Sequence, residues 1–192
     1  MSSRRRIAEL LQDAAQHDSD KRYMSISDLQ HVLESDRDVD EETERAICAA
    51  LLERLSVDSN NDVQTVAVRA LSVLMNRAHT EQVTDICKTL CTQLLDGRAE
   101  LRDVYAIGIK TIVKNAPHAL GAIVCTQATP LLYFGIAQDA DARAKMECIE
   151  ILTDILAKFG SFLDGVAFAA DRAGEGAPEP ARALLLRVCL AQ

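Results

Sequence analysis

The chain has 192 residues, of which 48% are hydrophobic and 26% are charged, and its 21 basic and 29 acidic side chains give a formal net charge of −8. A folded chain of this length hides roughly 70% of the surface that its unfolded form exposes, which suffices for a core without disulfide or metal crosslinks. Disorder of the whole chain is therefore excluded. The negative excess also disfavours broad binding to nucleic acid or anionic lipid, because both polyanions need a surplus of Lys and Arg.

The residue composition favours helices over strands. Aromatic residues make up only 4% of the chain, Trp is absent, and Gly and Pro number 8 and 4. Ala and Leu, which are strong helix formers, are abundant instead. We therefore expect a helical fold rather than a β-sandwich or barrel.

The first predicted element is an amphipathic helix that begins near Ile7, directly after a basic triplet at residues 4–6. Glu9 and Asp13 interrupt the apolar run that a signal peptide requires. We interpret the triplet as a solvated first helical turn rather than as a targeting signal.

Four segments share one apolar pattern, in which hydrophobic residues occupy relative positions 0, 3, 6 and 7. At 3.6 residues per turn these positions form a single stripe, so each segment is predicted to bury one side of a helix. The first positions of successive segments are 42, 38 and 43 residues apart. The stripes are Ile26, Leu29, Val32 and Leu33; Val68, Leu71, Leu74 and Met75; Ala106, Ile109, Ile112 and Val113; and Ile149, Leu152, Ile155 and Leu156.

Acidic or turn-forming clusters precede the stripes at residues 18–20, 58–62, 96–97 and 139–141. Such side chains accept hydrogen bonds from the free N–H groups of a starting helix, so each stripe is predicted to begin a new helix. Other amphipathic segments lie at 41–57, 81–95 and 119–138, and we expect an interruption of the last one near Pro130. The repeating unit is therefore helix, short turn, helix.

A helix pair that repeats every roughly 40 to 47 residues has the spacing of HEAT and armadillo repeats. We therefore predict an all-α fold, a right-handed α-solenoid of about four HEAT-type hairpins over residues 1–160, with a divergent, irregular segment at 161–192. Each hairpin needs its neighbour to bury its apolar side. A four-helix bundle with additional elements is the alternative architecture.

Residues 115–138 contain no Asp, Glu, Lys or Arg and approach the roughly 20 residues that span a bilayer. Because Thr126, Gln127 and Thr129 lie in the middle of this stretch, we predict a soluble core helix and no membrane partner.

The six cysteines form no CxxC pair and no disulfide framework spacing. Cys87 and Cys91 would share one helix face, but no His lies nearby in a ligand spacing to complete a metal site. We therefore predict buried free thiols in a reducing cytoplasm or nucleus, without a metal or another cofactor.

The C-terminal fifth of the chain differs from the repeats. Gly174, Gly176, Pro178 and Pro180 lie within residues 171–180, which are predicted to form a loop. The Leu-rich residues 181–191 predict a short apolar helix. This helix either caps the open end of the solenoid, which we favour, or presents an interface to another chain.

The sequence contains no GxxxxGK[ST], GxGxxG or GxSxG motif, and its four histidines are scattered. We therefore predict that the protein is not an enzyme and that it acts through its surface. In such solenoids the second helix of each hairpin lines the concave side, and its exposed positions form a polar ridge. An ordinary solvated face is the alternative interpretation. The candidate partner-binding residues on this ridge are Gln30, Glu34, Arg69, Asn76, Lys110, Lys114 and Glu150, and Ser72 is a further ridge position.

Five short runs carry a family resemblance. They are YMSISDL at 23–29, DVQTVAVRAL at 62–71, LCT at 90–92, ELRDV at 100–104 and IGIKT at 107–111. These runs resemble the amino-terminal repeats of the CAND family, the cullin-associated and neddylation-dissociated proteins. The resemblance extends over about residues 7–160. The LCT run and the ELRD and IGIKT runs are the more specific, whereas the run at 62–71 is generic for HEAT repeats.

The resemblance implies a non-enzymatic solenoid that binds an unmodified cullin–RING ubiquitin ligase scaffold in the cytoplasm or nucleus and promotes exchange of its substrate receptors. It implies contact with the carboxy-terminal region of the cullin and with the RING subunit, where binding opposes neddylation. Family members are many times longer, so a separate C-terminal companion chain is a further expectation. A generic HEAT-repeat scaffold or adaptor for protein assembly or transport is the alternative.

Overall fold

The structure is a computed structural model that describes residues 3–35, 39–75, 77–137, 142–170 and 176–190. Its described part is almost entirely helical. Three short 3-10 helices occur at Ala99–Leu101, His118–Leu120 and Gly160–Gly165, and two antiparallel two-residue strands, β1 (Ala167–Phe168) and β2 (Glu179–Pro180), pair near the C-terminus. The α-helices are α1 (Ser3–Asp13), α2 (Ser19–Ser35), α3 (Glu41–Val57), α4 (Asn61–Leu74), α5 (Thr80–Asp96), α6 (Arg102–Asn115), α7 (Gly121–Ala137), α8 (Ala142–Phe159) and α9 (Ala181–Leu190).

The chain divides into two compact units, unit 1 at residues 1–82 and unit 2 at residues 83–192. In unit 1, α1 packs on α2 and α3 packs on α4, so that each pair is an antiparallel hairpin. The second helices of the two hairpins, α2 and α4, also pack extensively along each other. Unit 1 is therefore a stack of two hairpins with a shared apolar core.

Unit 2 contains a related arrangement. Helix α7 forms a hairpin with α8, and α6 packs along α8 as α2 packs along α4. Helix α9 and the 3-10 helix Gly160–Gly165 pack against α7. The predicted all-α fold of stacked helical hairpins, the α-solenoid class, is thus confirmed.

The apolar stripes fill the cores of both units. All residues of the first three stripes are buried, and residues such as Ile26, Leu71 and Leu74 are completely inaccessible. The fourth stripe is confirmed only in part, because Leu152 and Ile155 are buried but Ile149 is only half-buried and Leu156 is 44% exposed. Helix α8 instead buries a face that is displaced from the predicted one around the helix axis: Ala144, Cys148, Ile151, Leu152, Ile155 and Phe159.

The turn-forming clusters at residues 18–20 and 58–62 start helices as predicted. Asp18 accepts the N–H of Asp20 at 2.9 Å, and the Asn60 side chain caps α4 by accepting the N–H groups of Asp62 and Val63. The cluster at 96–97 was assigned wrongly, because it ends α5: the Gly97 N–H donates to the Gln93 carbonyl, and α6 begins only at Arg102. The cluster at 139–141 lies outside the described residues.

Helix α7 continues through Pro130, so the predicted interruption is wrong. Proline removes one backbone hydrogen bond, and the burial of Leu132, Tyr133 and Ile136 beyond it keeps the helix in place. Residues His118–Ala137 are the one described stretch long and apolar enough to cross a membrane, and half of its apolar window is buried within the protein. In this fold, α7 packs as a core helix of unit 2.

Candidate interaction surface

The predicted ridge positions lie on the second helices of the hairpins. Asn76 lies outside the described residues, and Ser72 is buried at 5% exposure, where its hydroxyl donates to the Val68 carbonyl at 3.0 Å. The prediction that Ser72 is exposed was therefore wrong, because α4 packs against both α2 and α3 and is buried on most of its surface. The remaining six candidates, Gln30, Glu34, Arg69, Lys110, Lys114 and Glu150, are exposed or half-buried.

In unit 1 the ridge candidates on α2 form a small local group. The Gln30 side-chain amide donates to Glu34 at 2.8 Å, and the second oxygen of Glu34 lies 3.5 Å from Nδ1 of His31. Arg69 is exposed on the neighbouring α4. These ridge residues are accessible to a partner, and they include both acidic and basic side chains.

In unit 2 the ridge candidates are joined by ion pairs. Nζ of Lys110 on α6 donates to Glu147 at 2.8 Å and to Glu150 at 2.5 Å, both on α8. Burial alone would lower the pKa of Lys110, but the bonds and charges of the two carboxylates outweigh it and raise that pKa above its ordinary value. Lys110 and Glu150 therefore tie two helices together as well as facing solvent.

A shallow groove of about 290 Å³ runs between α6 and α8 beside these ion pairs. Ile107 stands at its edge with 62% exposure. The ammonium group of Lys158 donates to three main-chain carbonyls at the end of α6, those of Val113, Lys114 and Ala116, at 2.6 to 3.0 Å. This arrangement places a positive charge at the negative end of the helix dipole.

The groove brings together Lys110 and Lys114 from the predicted set, and Glu150 is joined to it through its ion pair with Lys110. Sequence reasoning missed Glu147 and Lys158, although the spacing held a signal for them. Lys110 and Glu150 are 40 residues apart, which is one repeat, so their helices were predicted to be neighbours. Asp103 on α6 and Arg143 on α8 also pair and are 40 residues apart, and Arg4 on α1 pairs with Glu42 on α3 at a separation of 38 residues.

The cysteine side chains offer no accessible nucleophile among the described residues. Cys48, Cys87, Cys91, Cys125 and Cys148 are free and buried, as predicted, while the side chain of Cys189 lies outside the described residues. Burial raises the pKa of Cys87 and Cys148 to about 12 and that of Cys125 to about 11. Within the described ranges, no group of three or more His, Cys, Asp or Glu side chains could hold a metal ion.

The stacked hairpins, with polar helix faces and shallow grooves, define an α-helical repeat protein. No protein-family model matches the chain. Mouse cullin-associated NEDD8-dissociated protein 2 is 35% identical over 161 residues, which are 81% of this chain and 13% of the relative. Cullin-associated NEDD8-dissociated protein 1 is 34% identical in Drosophila melanogaster and in Dictyostelium discoideum, over 82% and 83% of this chain and 13% and 14% of those relatives.

The chain is thus a homologue of part of the CAND-family proteins, which confirms the resemblance seen in the sequence. It spans about 13% of the length of the curated relatives it matches. Among solved structures, two crystal structures of engineered proteins align with a TM-score of 0.49 and 16% identity. The first alignment covers 81% of this chain and 67% of the engineered protein, and the second covers 84% of this chain and 40% of the engineered protein.

Proposed function

We propose that this chain is a non-enzymatic, cullin-binding regulator of cullin–RING ubiquitin ligases. The observation that carries the proposal is identity of 34–35% to proteins named cullin-associated and NEDD8-dissociated, maintained over more than 80% of the chain. Stacked helical hairpins with exposed second helices suit this role, because such helices offer a large polar surface to another protein.

We further propose that the chain engages the carboxy-terminal region of the cullin and the RING subunit, and that binding there opposes attachment of NEDD8. Among the described ridge candidates, the side chains of Gln30, Glu34, Arg69 and Lys114 make no inter-helix ion pair or hydrogen bond, and these four residues are proposed to contact the partner. Their mixed charges favour a partner surface with complementary charges of both signs. The cytoplasm and nucleus are the proposed locations.

A companion chain is also proposed to carry the rest of the family sequence. The observation that supports it is an apolar groove of about 170 Å³ between α8 and α9. Leu156 and Leu186 stand at this groove with exposures of 44% and 62%, so a further helix from a second chain has apolar side chains to cover.

A sizing column tests the main proposal. The purified chain is mixed with an unmodified cullin–RING complex and with the same complex after NEDD8 attachment. We expect a joint peak with the first complex and separate peaks with the second. Separate elution from both complexes contradicts the proposal, and co-elution with an importin-type cargo instead would assign the chain to a transport adaptor.

Charge reversal at the ridge tests the proposed contact residues. Arg69→Glu and Lys114→Glu together should weaken cullin binding about tenfold, because each removes an attractive charge and adds a repulsive one. Lys88→Glu, at an exposed position of α5, is the control for either single charge reversal and should leave the affinity unchanged. If the ridge and control variants weaken binding equally, the cullin contacts a different face of the protein.

A further inference from the structure

A third groove lies between α1 and α2, the two helices of the first hairpin of unit 1, called hairpin 1 below. Its volume is about 400 Å³. Leu10 and Met24 supply its apolar surface, and Met24 is 60% exposed. An apolar side chain this accessible, beside a half-buried leucine in a concave surface, gives a partner an anchor point. The rim is formed by Asp13, Asp20, Lys21 and Asp28.

The rim of this groove is strongly acidic. Three carboxylates, those of Asp13, Asp20 and Asp28, stand against the single ammonium group of Lys21. The one ion pair made by these carboxylates among the described residues joins Asp28 to Arg6, which is 3.9 Å away. The groove therefore combines apolar side chains with a surplus of negative charge.

The surrounding unit strengthens this negative potential. Residues 1–82 contain 10 basic and 16 acidic side chains, whereas residues 83–192 contain 11 basic and 13 acidic side chains. Most of the net charge of −8 therefore belongs to unit 1. A field of this sign attracts cationic partners and repels nucleic acid and anionic lipid.

The charge and apolar surface of the groove indicate which kind of ligand it can bind. A bare metal ion is a poor fit, because the carboxylates in the described part of the chain form no group of three that could hold one. Lysine and arginine side chains fit better, since their methylene stems pack on apolar surface while their charged heads reach carboxylates. In such a complex, Met24 would contact an apolar side chain or the methylene groups of a lysine or arginine. Asp13 and Asp20 would accept hydrogen bonds from the charged ends of those side chains.

We propose that this α1–α2 groove binds a basic segment of a partner protein in which arginine or lysine side chains alternate with apolar ones. The proposal stands apart from the cullin assignment, because it rests on the charge and apolar surface of the groove and not on the family. It makes hairpin 1 a peptide-docking element in addition to its structural part in the stack.

A peptide titration tests this proposal. The probe is a short fluorescein-labelled peptide that alternates arginine and leucine, and its binding to the intact chain is followed by fluorescence anisotropy. A second peptide with citrulline in place of arginine keeps the shape and removes the charge. We expect saturable binding of the arginine peptide and at least tenfold weaker binding of the citrulline peptide. Absence of binding by the arginine peptide overturns the proposal.

Groove variants locate the binding. Replacing the three rim carboxylates together, as Asp13→Asn, Asp20→Asn and Asp28→Asn, should weaken the arginine peptide about tenfold, because each exposed ion pair contributes only modestly. Met24→Ser should weaken it by about the contribution of one exposed apolar contact, severalfold. Far-UV circular dichroism with unchanged helix content shows that each variant is folded.

A matched control separates a specific groove from general attraction. Glu42→Gln, Glu53→Gln and Asp62→Asn remove the same number of exposed charges from α3 and α4 of the same unit. This control should retain affinity within about twofold of the unaltered chain. Equal weakening by control and groove variants overturns the proposal in favour of nonspecific attraction. A concentration-dependent dimer that the groove variants abolish overturns it in favour of a second copy of this chain.

Discussion

Arg22 of α2 and Asp58, which directly follows α3, form a two-point ion pair between the two hairpins of unit 1. Nε and Nη2 of Arg22 donate to the Asp58 carboxylate at 2.6 and 2.8 Å, and Nη1 donates to the main-chain carbonyls of Gln16 and His17. The two side chains are only 10% and 1% exposed. The pair therefore joins the turn of one hairpin to the turn of the next and fixes their relative positions.

Removal of one partner of this pair should destabilise unit 1. In Asp58→Ala, the Arg22 charge stays buried without its carboxylate, and breaking a buried pair in this way costs about 3 kcal/mol. The free energy of unfolding from urea titration measures the loss. Glu42→Ala, which breaks the exposed pair with Arg4, is the control and should change stability by less than about 0.5 kcal/mol. Similar losses in both variants would contradict a special role for Arg22 and Asp58.

The same pair predicts acid sensitivity. Burial raises the pKa of Asp58, but hydrogen bonds from Arg22 and from the Asn60 N–H outweigh it and hold that pKa below its ordinary value. A carboxylate with a lowered folded-state pKa stabilises the fold above its unfolded-state pKa of about 3.9 and loses that contribution as the pH falls through the folded-state pKa. The stability gap between the unaltered chain and Asp58→Asn should therefore be full at pH 7 and shrink in acid. A gap that does not change with pH would contradict the pKa assignment.

The sequence predicted most helices and three of the four core stripes, because a 3.6-residue period of apolar residues is a local signal that can be read from their order along the chain. It misplaced the stripe of α8, since Ile149 and Leu156 match the template but the packing of α8 between α6 and α7 buries Cys148 and Ile151 instead. When a helix carries hydrophobic residues on two adjoining faces, the sequence does not determine which face is buried. The positions of the neighbouring helices decide it.

The inter-hairpin ion pairs were less accessible to sequence reasoning. Arg22 and Asp58 are 36 residues apart, and nothing local distinguishes them from other surface charges. Only the repeat length brings such residues together, so a search for opposite charges one repeat apart is the signal that could have found them. The acidic groove of hairpin 1 was missed for a similar reason, because its wall combines the end of α1 with the first turns of α2.

Lys110 should prove more important to folding than its position on a polar ridge implies. We expect Lys110→Glu to destabilise unit 2 by about 1 kcal/mol or more, because the new carboxylate faces Glu147 and Glu150 instead of pairing with them. The melting temperature measures the effect. In the double variant Lys110→Glu and Glu147→Lys, the pair is restored with reversed charges and part of the stability should return.

Lys114→Glu is the matched control for this variant. Lys114 lies one turn further along α6 and is exposed, so the same charge change should lower the melting temperature only by the small helix-dipole effect of its last-turn position. A comparable loss in Lys110→Glu and Lys114→Glu would show that total charge, rather than the contacts of Lys110 with α8, decides stability.

Leu71 tests the dependence of each hairpin on its neighbour. Its side chain is completely inaccessible in unit 1, so Leu71→Asp places an unpaired carboxylate among apolar atoms at a cost of several kcal/mol. Such a cost approaches the whole stability of a small domain, and far-UV circular dichroism should show loss of helix. Leu71→Met keeps the volume and should stay folded, whereas full helicity in Leu71→Asp would contradict the burial.

The buried thiols provide a measure of unfolding that needs no denaturant. Only a thiolate attacks a disulfide reagent, and burial raises the pKa of Cys87 and Cys148 to about 12, so these thiols should resist labelling at pH 8 in the folded chain. The experiment uses a Cys189→Ser background, in which the five remaining thiols are all buried. Ser56→Cys adds an exposed thiol on α3 as a positive control that should react at once. If all five thiols are labelled at the rate of the control while the helix content is unchanged, the cysteines do not lie in a closed core. If they are labelled only as fast as the helices open, the cysteines lie inside the core.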